Sequence, residues 1–344
     1  MSAGLFPAGR VTVEDVARRA GVSTATVSRA VNGTARVAQE TLDRVQHAID
    51  ELGFRPTPAA QNLRQQRTRN IALVVPTITN PFFPELVAGV APEITRRGSL
   101  LLLLSTDDPE GEATRVAQSR LADGILLVGA MERSGARQRT PHLDLPVVAF
   151  DRAAASLRTT VVQCDNAAGA RAVVTHLAGL GHRHIAHLRG PRGLDVADQR
   201  ARGHRRALLE LGLDARLEVE GDFSEESGYA AALRLLDGPE RPTAVFAAND
   251  LMAIGALAAF RARGVRVPEE ISVAGFDGIR LGRYLHPTLT TYAQPIAEIA
   301  QRAVTLVLDA VDSGSPLPRS RSAPHVLSLA GELVVGGSTS TVPS

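Results

Sequence analysis

The sequence predicts an N-terminal all-α helix-turn-helix head with a hinge, followed by an α/β body of two doubly wound parallel-sheet lobes. The chain has 344 residues, more than one ordinary domain holds. Its first sixty residues show helical periodicity around a glycine turn, and from Asn70 onward short apolar runs alternate with helical stretches. Hydrophobic residues make up 44% and charged residues 22%, which is typical of a globular protein with ample core material.

The first helix is predicted in segment 11–20, whose apolar residues recur with helical spacing. Thr12 is a candidate N-cap, and Asp15 three residues later forms an imperfect capping box with it. Gly21 follows the last turn, where glycine commonly ends a helix. The predicted apolar stripe consists of Val13, Val16, Ala17 and Ala20.

A second helix, Thr24 to Val31, follows after only two residues, and a third runs from about Ala38 to Leu52. Two short helices joined by a tight glycine turn, with a third packed behind them, form a helix-turn-helix. The outer side of the second helix carries short side chains and one arginine, which suits the floor of a DNA major groove. The alternative is a three-helix cap without a DNA role. The buried stripe of the third helix is Leu42, Val45, Ile49 and Leu52.

Charge is distributed unevenly along the chain, although the net charge is only +2. All basic residues are arginine. Residues 1–69 contain ten arginines and six acidic residues, whereas the rest contains 28 arginines and 30 acidic residues. A basic head on a slightly acidic body favours a polyanion as the partner of the head, with an ordinary solvated surface as the alternative.

Two long motifs carry a resemblance to a known family. Val11 to Gly33, VTVEDVARRAGVSTATVSRAVNG, resembles the DNA-binding head of the lactose/galactose-repressor (LacI/GalR) family, and Phe54 to Arg64, FRPTPAAQNLR, resembles its hinge. The resemblance continues to about Ser338. It implies a head at 10–56, a hinge helix and linker at 57–69, and a periplasmic-binding-protein-like domain for ligand binding and dimerisation at 70–338.

The resemblance also implies which head residues contact operator DNA. Thr24, Ala25 and Arg29 occupy base-reading positions, and Arg29 can donate two hydrogen bonds to a guanine edge. A hinge helix this short orders only against DNA and its twin from a second subunit. Leu63 matches the leucine that wedges into the minor groove, and the alternative is a linker leucine that packs on the core. The remaining expected DNA contacts are Ser23, Thr26, Ser28, Asn32 and Ala60.

In the body, seven apolar runs read as buried strands with helical patterns between most of them, which is typical of parallel βαβ sheets. The resemblance implies that the chain crosses three times between the lobes, near 162–165, 290–294 and 320–323. The first lobe is then about 70–162 and 294–321, and the second about 163–291 and 322–338. The predicted strands are 71–75, 100–104, 124–128, 147–150, 185–188, 244–247 and 272–275.

Ligands of open parallel sheets bind beyond the carboxyl ends of the strands, and this rule selects the candidate effector residues. Carboxylates, amides and an arginine beside aromatic rings suit a polyhydroxylated ligand. The match to the family is good at Arg200, Asn249 and Asp277. Two alternatives stay open: Phe82 as plain core and Asp250 as a helix cap. The candidates are Asn80, Phe82, Asp151, Arg152, Arg200, Phe223, Asn249, Asp277 and Gln294.

Other classes of protein are disfavoured by the sequence. Cys164 is the only cysteine, no apolar run reaches the length of a membrane span, and the N-terminus shows no export signal, so we expect a cytoplasmic, nucleoid-associated protein. His182, His184 and His187 are the candidate metal ligands. Because His182 and His184 have no Cys, Glu or third ligand nearby at metal spacing, no metal site or cofactor is expected. Because no catalytic motif occurs, an enzyme is not expected.

The expected assembly is a homodimer that binds double-stranded operator DNA and changes its DNA affinity when a small molecule binds between the lobes. Candidate dimer faces are the helices 84–97 and 251–263. A sugar or sugar phosphate is the expected effector, and a purine co-repressor is the alternative. A sugar-binding receptor without DNA function is a rival interpretation, which the presence of residues 11–64 disfavours.

Overall fold

The computed structural model describes residues 11–32, 37–54, 67–129, 143–151, 159–314, 317 and 325–342. The chain divides into two compact units, Met1–Arg67 and Thr68–Ser344, which correspond to a head and a body. Among the described residues, no helix is both long enough and apolar enough to cross a membrane.

The head consists of the helices α1 (Val13–Ala20), α2 (Thr24–Asn32) and α3 (Gln39–Leu52). The predicted capping box is confirmed: the Thr12 amide donates to Asp15 Oδ2 at 3.0 Å, and the Asp15 amide donates to Thr12 Oγ1 at 3.3 Å. Gly21 ends α1 in the left-handed region with φ 65°, as its position predicts. Ala38 begins α3 without a side-chain cap.

The three head helices pack around one small core. Val16, Val27 and Val45 are each at most 1% exposed and come from different helices. The guanidinium of Arg44 on α3 donates to the carbonyls of Ala20 and Gly21, so it satisfies the free carbonyl end of α1. The predicted stripe of α1 is confirmed. That of α3 is confirmed in part, because Leu42 lies outside the core and the buried Ala48 was not predicted.

In the described part of the body, the chain forms twelve strands and seven further helices. In chain order the strands are β1 (Asn70–Val75), β2 (Leu100–Ser105), β3 (Gly124–Val128), β4 (Val147–Phe150), β5 (Thr160–Cys164), β6 (Ile185–Arg189), β7 (Glu218–Glu220), β8 (Ala244–Ala247), β9 (Ser272–Asp277), β10 (Thr290–Ala293), β11 (His325–Leu329) and β12 (Glu332–Val334). The helices are α4 (Phe82–Arg96), α5 (Pro109–Ser119), α6 (Asn166–Gly179), α7 (Asp195–Glu210), α8 (Glu225–Leu236), α9 (Asp250–Ala262) and α10 (Ile296–Ser313), and a 3₁₀ turn spans Arg280–Tyr284.

The strands form two six-stranded sheets, one in each lobe. The order is β11-β5-β4-β3-β1-β2 in the first sheet and β12-β10-β9-β8-β6-β7 in the second. All pairs are parallel except β10 with β12. This arrangement confirms the predicted pair of parallel-sheet lobes, and all seven predicted strands are present within one or two residues of their expected ends.

Two expectations about the body need correction. The third crossing lies between Leu329 and Glu332, not near 320–323, because β11 pairs with β5 of the first sheet before β12 joins the second. The run 100–104 is not buried, because β2 lies at the edge of its sheet and leaves Leu100 68% exposed. Which sheet a short apolar segment joins depends on distant partners, and the local pattern does not contain that information.

The helix α9, a candidate dimer face, is largely used inside its own lobe. Leu251, Met252, Ala256 and Phe260 are at most 5% exposed, and the helix packs against α8 and β9.

The helices α6 and α7 also pack closely against each other. A Cβ on Gly203 would stand 2.3 Å from the carbonyl oxygen of Ala167, so only glycine fits there.

Candidate functional site

The outer side of α2 is the candidate nucleic-acid surface. Ser23, Thr24, Ala25 and Arg29 are exposed, whereas Val27 on the opposite side is 1% exposed and anchors the helix in the head core. Arg29 forms no ion pair with any acidic side chain in the described part of the chain. The helix thus presents small side chains and one available guanidinium, which is the chemistry that a base-reading helix needs.

The expected phosphate contacts Ser23 and Thr26 also shape the start of α2. Ser23 Oγ accepts a hydrogen bond from the Thr26 amide at 3.2 Å, and the two hydroxyls lie 2.9 Å apart. Ser23 therefore acts as the N-cap of α2 and fixes the angle at which the helix begins. Ser28 is half-buried on the same helix. The predicted contacts Ala60, Leu63 and Arg152, and the side chain of Asn32, lie outside the described residues.

Arg200 is the centre of the candidate effector site in the body. It lies on α7, only 3% of it is exposed, and its Nε donates to Asn166 Oδ1 at 2.9 Å. Its Nη1 donates to the Ala248 carbonyl at 2.6 Å and lies 3.1 Å from Asp277 Oδ1. The guanidinium carbon stands 3.9 Å from the centre of the Phe276 ring, so an aromatic face also supports the cation.

Asp277 and Gln294 complete this polar group from β9 and from the second crossing. Gln294 Nε2 donates to Asp277 Oδ1 at 2.8 Å. Burial raises the pKa of Asp277, and the adjacent Arg200 charge limits that rise. Gln294 Oε1 is buried and has no hydrogen-bond partner among the described residues. A buried acceptor without a partner is costly, so this oxygen is available to a ligand donor.

Asp151 lies at the carboxyl end of β4, close enough to Arg200 and Asp277 to feel both charges. Burial raises the pKa of Asp151 to about 6, while the Arg200 charge lowers it and the Asp277 charge raises it further. The side chain is half-buried, and it forms no hydrogen bond with the described part of the protein. A carboxyl in this state can donate or accept a hydrogen bond near neutral pH.

Backbone strain is concentrated at the same residues. Five described non-glycine residues have positive φ, and three of them are predicted effector residues: Asp151 at 59°, Phe223 at 72° and Asp277 at 115°. Such conformations are unfavourable for side chains with a Cβ and are common at ligand sites. Phe223 is half-buried, and its ring lies 5.8 Å from the guanidinium carbon of Arg200.

The N-cap of α9 is the residue before the one that the sequence suggested. Asn249 is the N-cap of α9: its Oδ1 accepts from the Met252 amide at 2.9 Å, and its Nδ2 donates to the Phe223 carbonyl at 3.0 Å. Asp250 is fully buried and accepts from the Thr291 hydroxyl at 2.6 Å. The interpretation of Asp250 as the cap is therefore wrong, because the residue before it already fills that position.

Sequence reasoning missed Asn166 entirely. Its side chain is fully buried at the first crossing, where Nδ2 donates to the Cys164 carbonyl at 3.1 Å and Oδ1 accepts from Arg200. Its position directly after β5 is the signal that was available, because the rule that selected the other candidates applies equally there. Asn166 holds the Nε end of the Arg200 guanidinium, whereas Asp277 contacts Nη1.

Asn80 and Phe82 lie at the start of α4 in the first lobe. Asn80 Oδ1 accepts from the Phe82 amide at 3.0 Å, and Phe82 is 6% exposed and packs edge-on against Phe83. This burial agrees with the alternative that Phe82 is a core residue. Glu85, one turn further, accepts from the Arg280 amide at 2.9 Å, a hydrogen bond between the two lobes.

Comparison with known proteins gives concordant matches to both units. Residues 12–57 match the family described as bacterial regulatory proteins, lacI family, and residues 174–339 match the periplasmic binding protein-like domain. The HTH-type transcriptional repressor CytR of Escherichia coli (strain K12) is 35% identical over 342 residues, which cover 96% of this chain and 97% of that protein.

Two solved structures are similar over almost the whole chain. The complex of the transcriptional regulator CelR with cellobiose is 32% identical with a TM-score of 0.70, and the match covers 96% of this chain and 100% of the other. The lac repressor dimer bound to operator and the anti-inducer ONPF is 26% identical with a TM-score of 0.83, over 96% and 99% of the two chains.

Proposed function

Because this chain belongs to the lacI family of bacterial regulatory proteins, which are DNA-binding transcriptional regulators with an effector-binding body, we propose how its own residues perform that function. A homodimer binds a pseudo-palindromic operator through two copies of α2. Thr24, Ala25 and Arg29 read base edges, and the hydroxyls of Ser23, Thr26 and Ser28 contact phosphates. The exposed small face of α2 with its available guanidinium carries this assignment.

The DNA assignment is tested by a mobility shift with the full-length chain and the promoter beside its own gene. Arg29→Ala is expected to weaken specific binding by about 1–3 kcal/mol, roughly 5- to 150-fold, and to relax the preference at one base pair. Arg202→Ala, which removes an exposed arginine from the body, is the matched control and retains full binding. Equal binding by the Arg29 variant, or sequence-independent binding by the parent, contradicts the assignment.

We propose that the effector is a sugar or sugar phosphate that binds around Arg200. The observation that carries this proposal is the open acceptor Gln294 Oε1, on a side chain bonded to Asp277. The half-buried Asp151 carboxyl and the Phe223 ring, 5.8 Å from the Arg200 guanidinium, offer further contacts. Paired hydroxyls bond such groups in a fork, and the CH face of a sugar ring packs on an aromatic ring. The similar CelR protein was solved with cellobiose, which agrees with this class.

A purine base as co-repressor is the second candidate, because the half-buried Phe223 ring offers a stacking surface for a flat ligand as well. A thermal-shift screen against sugars, sugar phosphates and purines separates the two classes, since the bound ligand raises the melting temperature. A rise with purines alone excludes the sugar proposal.

The pocket is tested with the ligand that this screen identifies. Gln294→Met leaves the Arg200–Asp277 pair intact and is expected to reduce affinity about tenfold, since one buried hydrogen bond is lost. The exposed Gln301→Met variant on α10 is the matched control and binds as the parent does. Unchanged ligand affinity in Gln294→Met would show that the ligand does not bind at this residue.

We propose that ligand binding changes the closure of the two lobes and thereby the spacing of the two heads. A coupling of about 1–3 kcal/mol changes operator affinity roughly 5- to 150-fold. The protein is proposed to act in the cytoplasm, at the nucleoid, without catalysing a reaction. The relatives are transcriptional regulators, and the described residues close to Arg200 pair with each other and position no nucleophile beside a base.

A further inference from the structure

Two buried histidines of the second lobe, which come from different elements, stack against each other. His187 stands on β6, in register with Glu218 on the edge strand β7 on one side and with Phe246 on β8 on the other. His204 projects from α7, which packs over this sheet. The centres of the two imidazole rings are 4.6 Å apart, and both residues are 0% exposed.

All four ring nitrogens of this pair are buried and have no hydrogen-bond partner among the described residues. The backbone of Ile185 approaches His204 without reaching hydrogen-bond geometry. Buried polar atoms are almost always satisfied, because each unsatisfied group forfeits its bonds to water. Two adjacent imidazoles with no partner therefore indicate that something else bonds to them.

A third potential ligand lies beside the rings. One nitrogen from each histidine and one carboxylate oxygen of Glu218 all lie within 4.8 Å of one another. In a tetrahedral zinc site the Zn–N and Zn–O distances are about 2.0–2.2 Å, which places the ligand atoms roughly 3.3 Å apart. Zinc binding therefore requires these atoms to move closer together. It also requires the two rings, now stacked at an interplanar angle of 27°, to turn until both lone pairs point at one ion. Glu218 lies on the edge strand of the sheet, which gives an ion access from solvent.

We propose that His187, His204 and Glu218 form a zinc site in the second lobe, with water as the fourth ligand. Two imidazoles and one carboxylate are a common ligand set for Zn²⁺. The site shares no residue with the effector site or with the DNA surface. It ties β6, β7 and α7 together, and His204 lies one helical turn from Arg200, so zinc stiffens the helix that holds the centre of the effector site.

The electrostatic surroundings permit a cation. A neutral imidazole presents a lone pair to a metal ion. The nearby arginines are each paired with a carboxylate. The pairs are Arg205 with Glu218, Arg189 with Asp198, and Arg200 with Asp277. Arg205 also orients the Glu218 carboxylate, as groups around a metal ligand commonly do.

The competing interpretation is that the two histidines are only aromatic filling, stacked on Phe246 at 4.9 Å from His187. The two interpretations differ in what zinc does to the protein. The test uses the untagged full-length chain, freed of metal with a chelator and then given zinc chloride. We expect one zinc per chain by elemental analysis after gel filtration, and a melting temperature higher by roughly 5 °C with zinc at 100 times its Kd.

His204→Phe keeps an aromatic ring in place and removes two nitrogens. It is expected to weaken zinc binding at least 100-fold, to melt independently of zinc, and to be no less stable than the metal-free parent. Glu218→Gln, which keeps the side-chain size, is expected to weaken zinc binding at least tenfold. His184→Phe replaces an exposed histidine just before the same strand and is the matched control, with unchanged zinc binding.

Two results overturn the proposal. In the first, the parent retains no zinc after gel filtration and its melting temperature does not respond to the metal. In the second, both the His204→Phe and Glu218→Gln variants bind zinc as tightly as the parent, which places the ion elsewhere. Replacement of zinc by Co²⁺ gives a further check, because a tetrahedral cobalt site with nitrogen and oxygen ligands absorbs visible light and the His204→Phe protein should remain colourless.

Discussion

Asp151 combines a left-handed backbone with a carboxyl that burial holds partly protonated near neutral pH. A folded-state pKa of about 6 lies above the usual value, so the ionised form is less favourable in the folded protein than in the unfolded chain. This cost is fully present above pH 6 and disappears as the pH falls toward 4. Asp151 therefore lowers the stability of the protein at neutral pH, which is common for groups that bind a ligand.

Asp151→Asn is therefore expected to stabilise the free protein at pH 8. The gain is about 1–3 kcal/mol, at the lower end because the half-buried carboxyl keeps some contact with solvent. Urea unfolding at pH 8 and pH 5 measures it, and the advantage should shrink at the lower pH. The exposed Asp107→Asn variant should show neither effect. An advantage that grows on acidification contradicts the raised pKa.

Residue roles in the effector site were only partly accessible from the sequence. The strand-end rule found Arg200 and Asp277, which the structure brings into contact, and Gln294, which bonds to Asp277. It did not separate Asn249, which caps a helix, from Asp250, which is buried between elements. That choice depends on where the first turn of α9 begins, a difference of one residue that periodicity does not resolve.

The pair His187 and His204 shows a second limit of prediction from local sequence patterns. In the sequence, the neighbours of His187 are His182 and His184, and their spacing predicts no metal site. In the fold, His182 instead bonds to Thr243 and Ser272, and the partners of His187 come from α7 and β7. Groups brought together by tertiary packing leave no spacing signal along the chain.

Among the elements, the pair α6 and α7 depends on a single close contact. Gly203→Ala would place its Cβ 2.3 Å from the Ala167 carbonyl oxygen, so the helices must separate. We expect a loss of about 1–3 kcal/mol in unfolding free energy and a weaker effector response, because Arg200 lies on the displaced helix. Gly179→Ala, at the end of α6 with open space around its Cβ, is the control and should be neutral or slightly stabilising.

Denaturant unfolding of both glycine variants measures the difference. Equal stability of the two variants would mean that α7 accommodates the methyl group without moving. In the sequence, Gly203 stands out only as the glycine three residues after Arg200. Nothing there identifies α6 as the helix that it contacts. The helices and strands themselves can be predicted, because strong local periodicity determines them. Which strands lie next to each other cannot, since a pair such as β11 and β5 joins residues about 160 positions apart in the chain.

At the scale of the whole molecule, exposed apolar side chains indicate where two copies meet. Leu100 and Leu103 lie on the edge strand of the first lobe, and Leu281 and Tyr284 on the 3₁₀ turn of the second, with exposures from 43% to 79%. Contiguous apolar surface is typical of an interface, and each of these pairs lies close together on one element, so we propose them as the contact between two copies. They take the place of the predicted face on α9, which is largely buried in its own lobe, while the predicted face on α4 stays a candidate.

Leu100→Asp and Tyr284→Asp are each expected to shift the protein from dimer to monomer at micromolar concentration and to weaken operator binding at least tenfold. A charge placed in an apolar interface is left without a partner, which opposes association. Sedimentation measures the mass. Leu209→Asp, an equally exposed leucine at 65% on α7, is the control and should remain dimeric. Dimers in all three variants would exclude both surfaces.

The C-terminal segment supplies an edge strand to each sheet in turn, β11 to the first and β12 to the second, and Ser338 then bonds to Val273 and Thr290. These residues leave the ribosome after the rest of both lobes. The two sheets are therefore complete only after this segment has been synthesised, whereas the head can assemble earlier. A nascent chain of this protein would thus acquire its DNA-reading part before it can sense any small molecule.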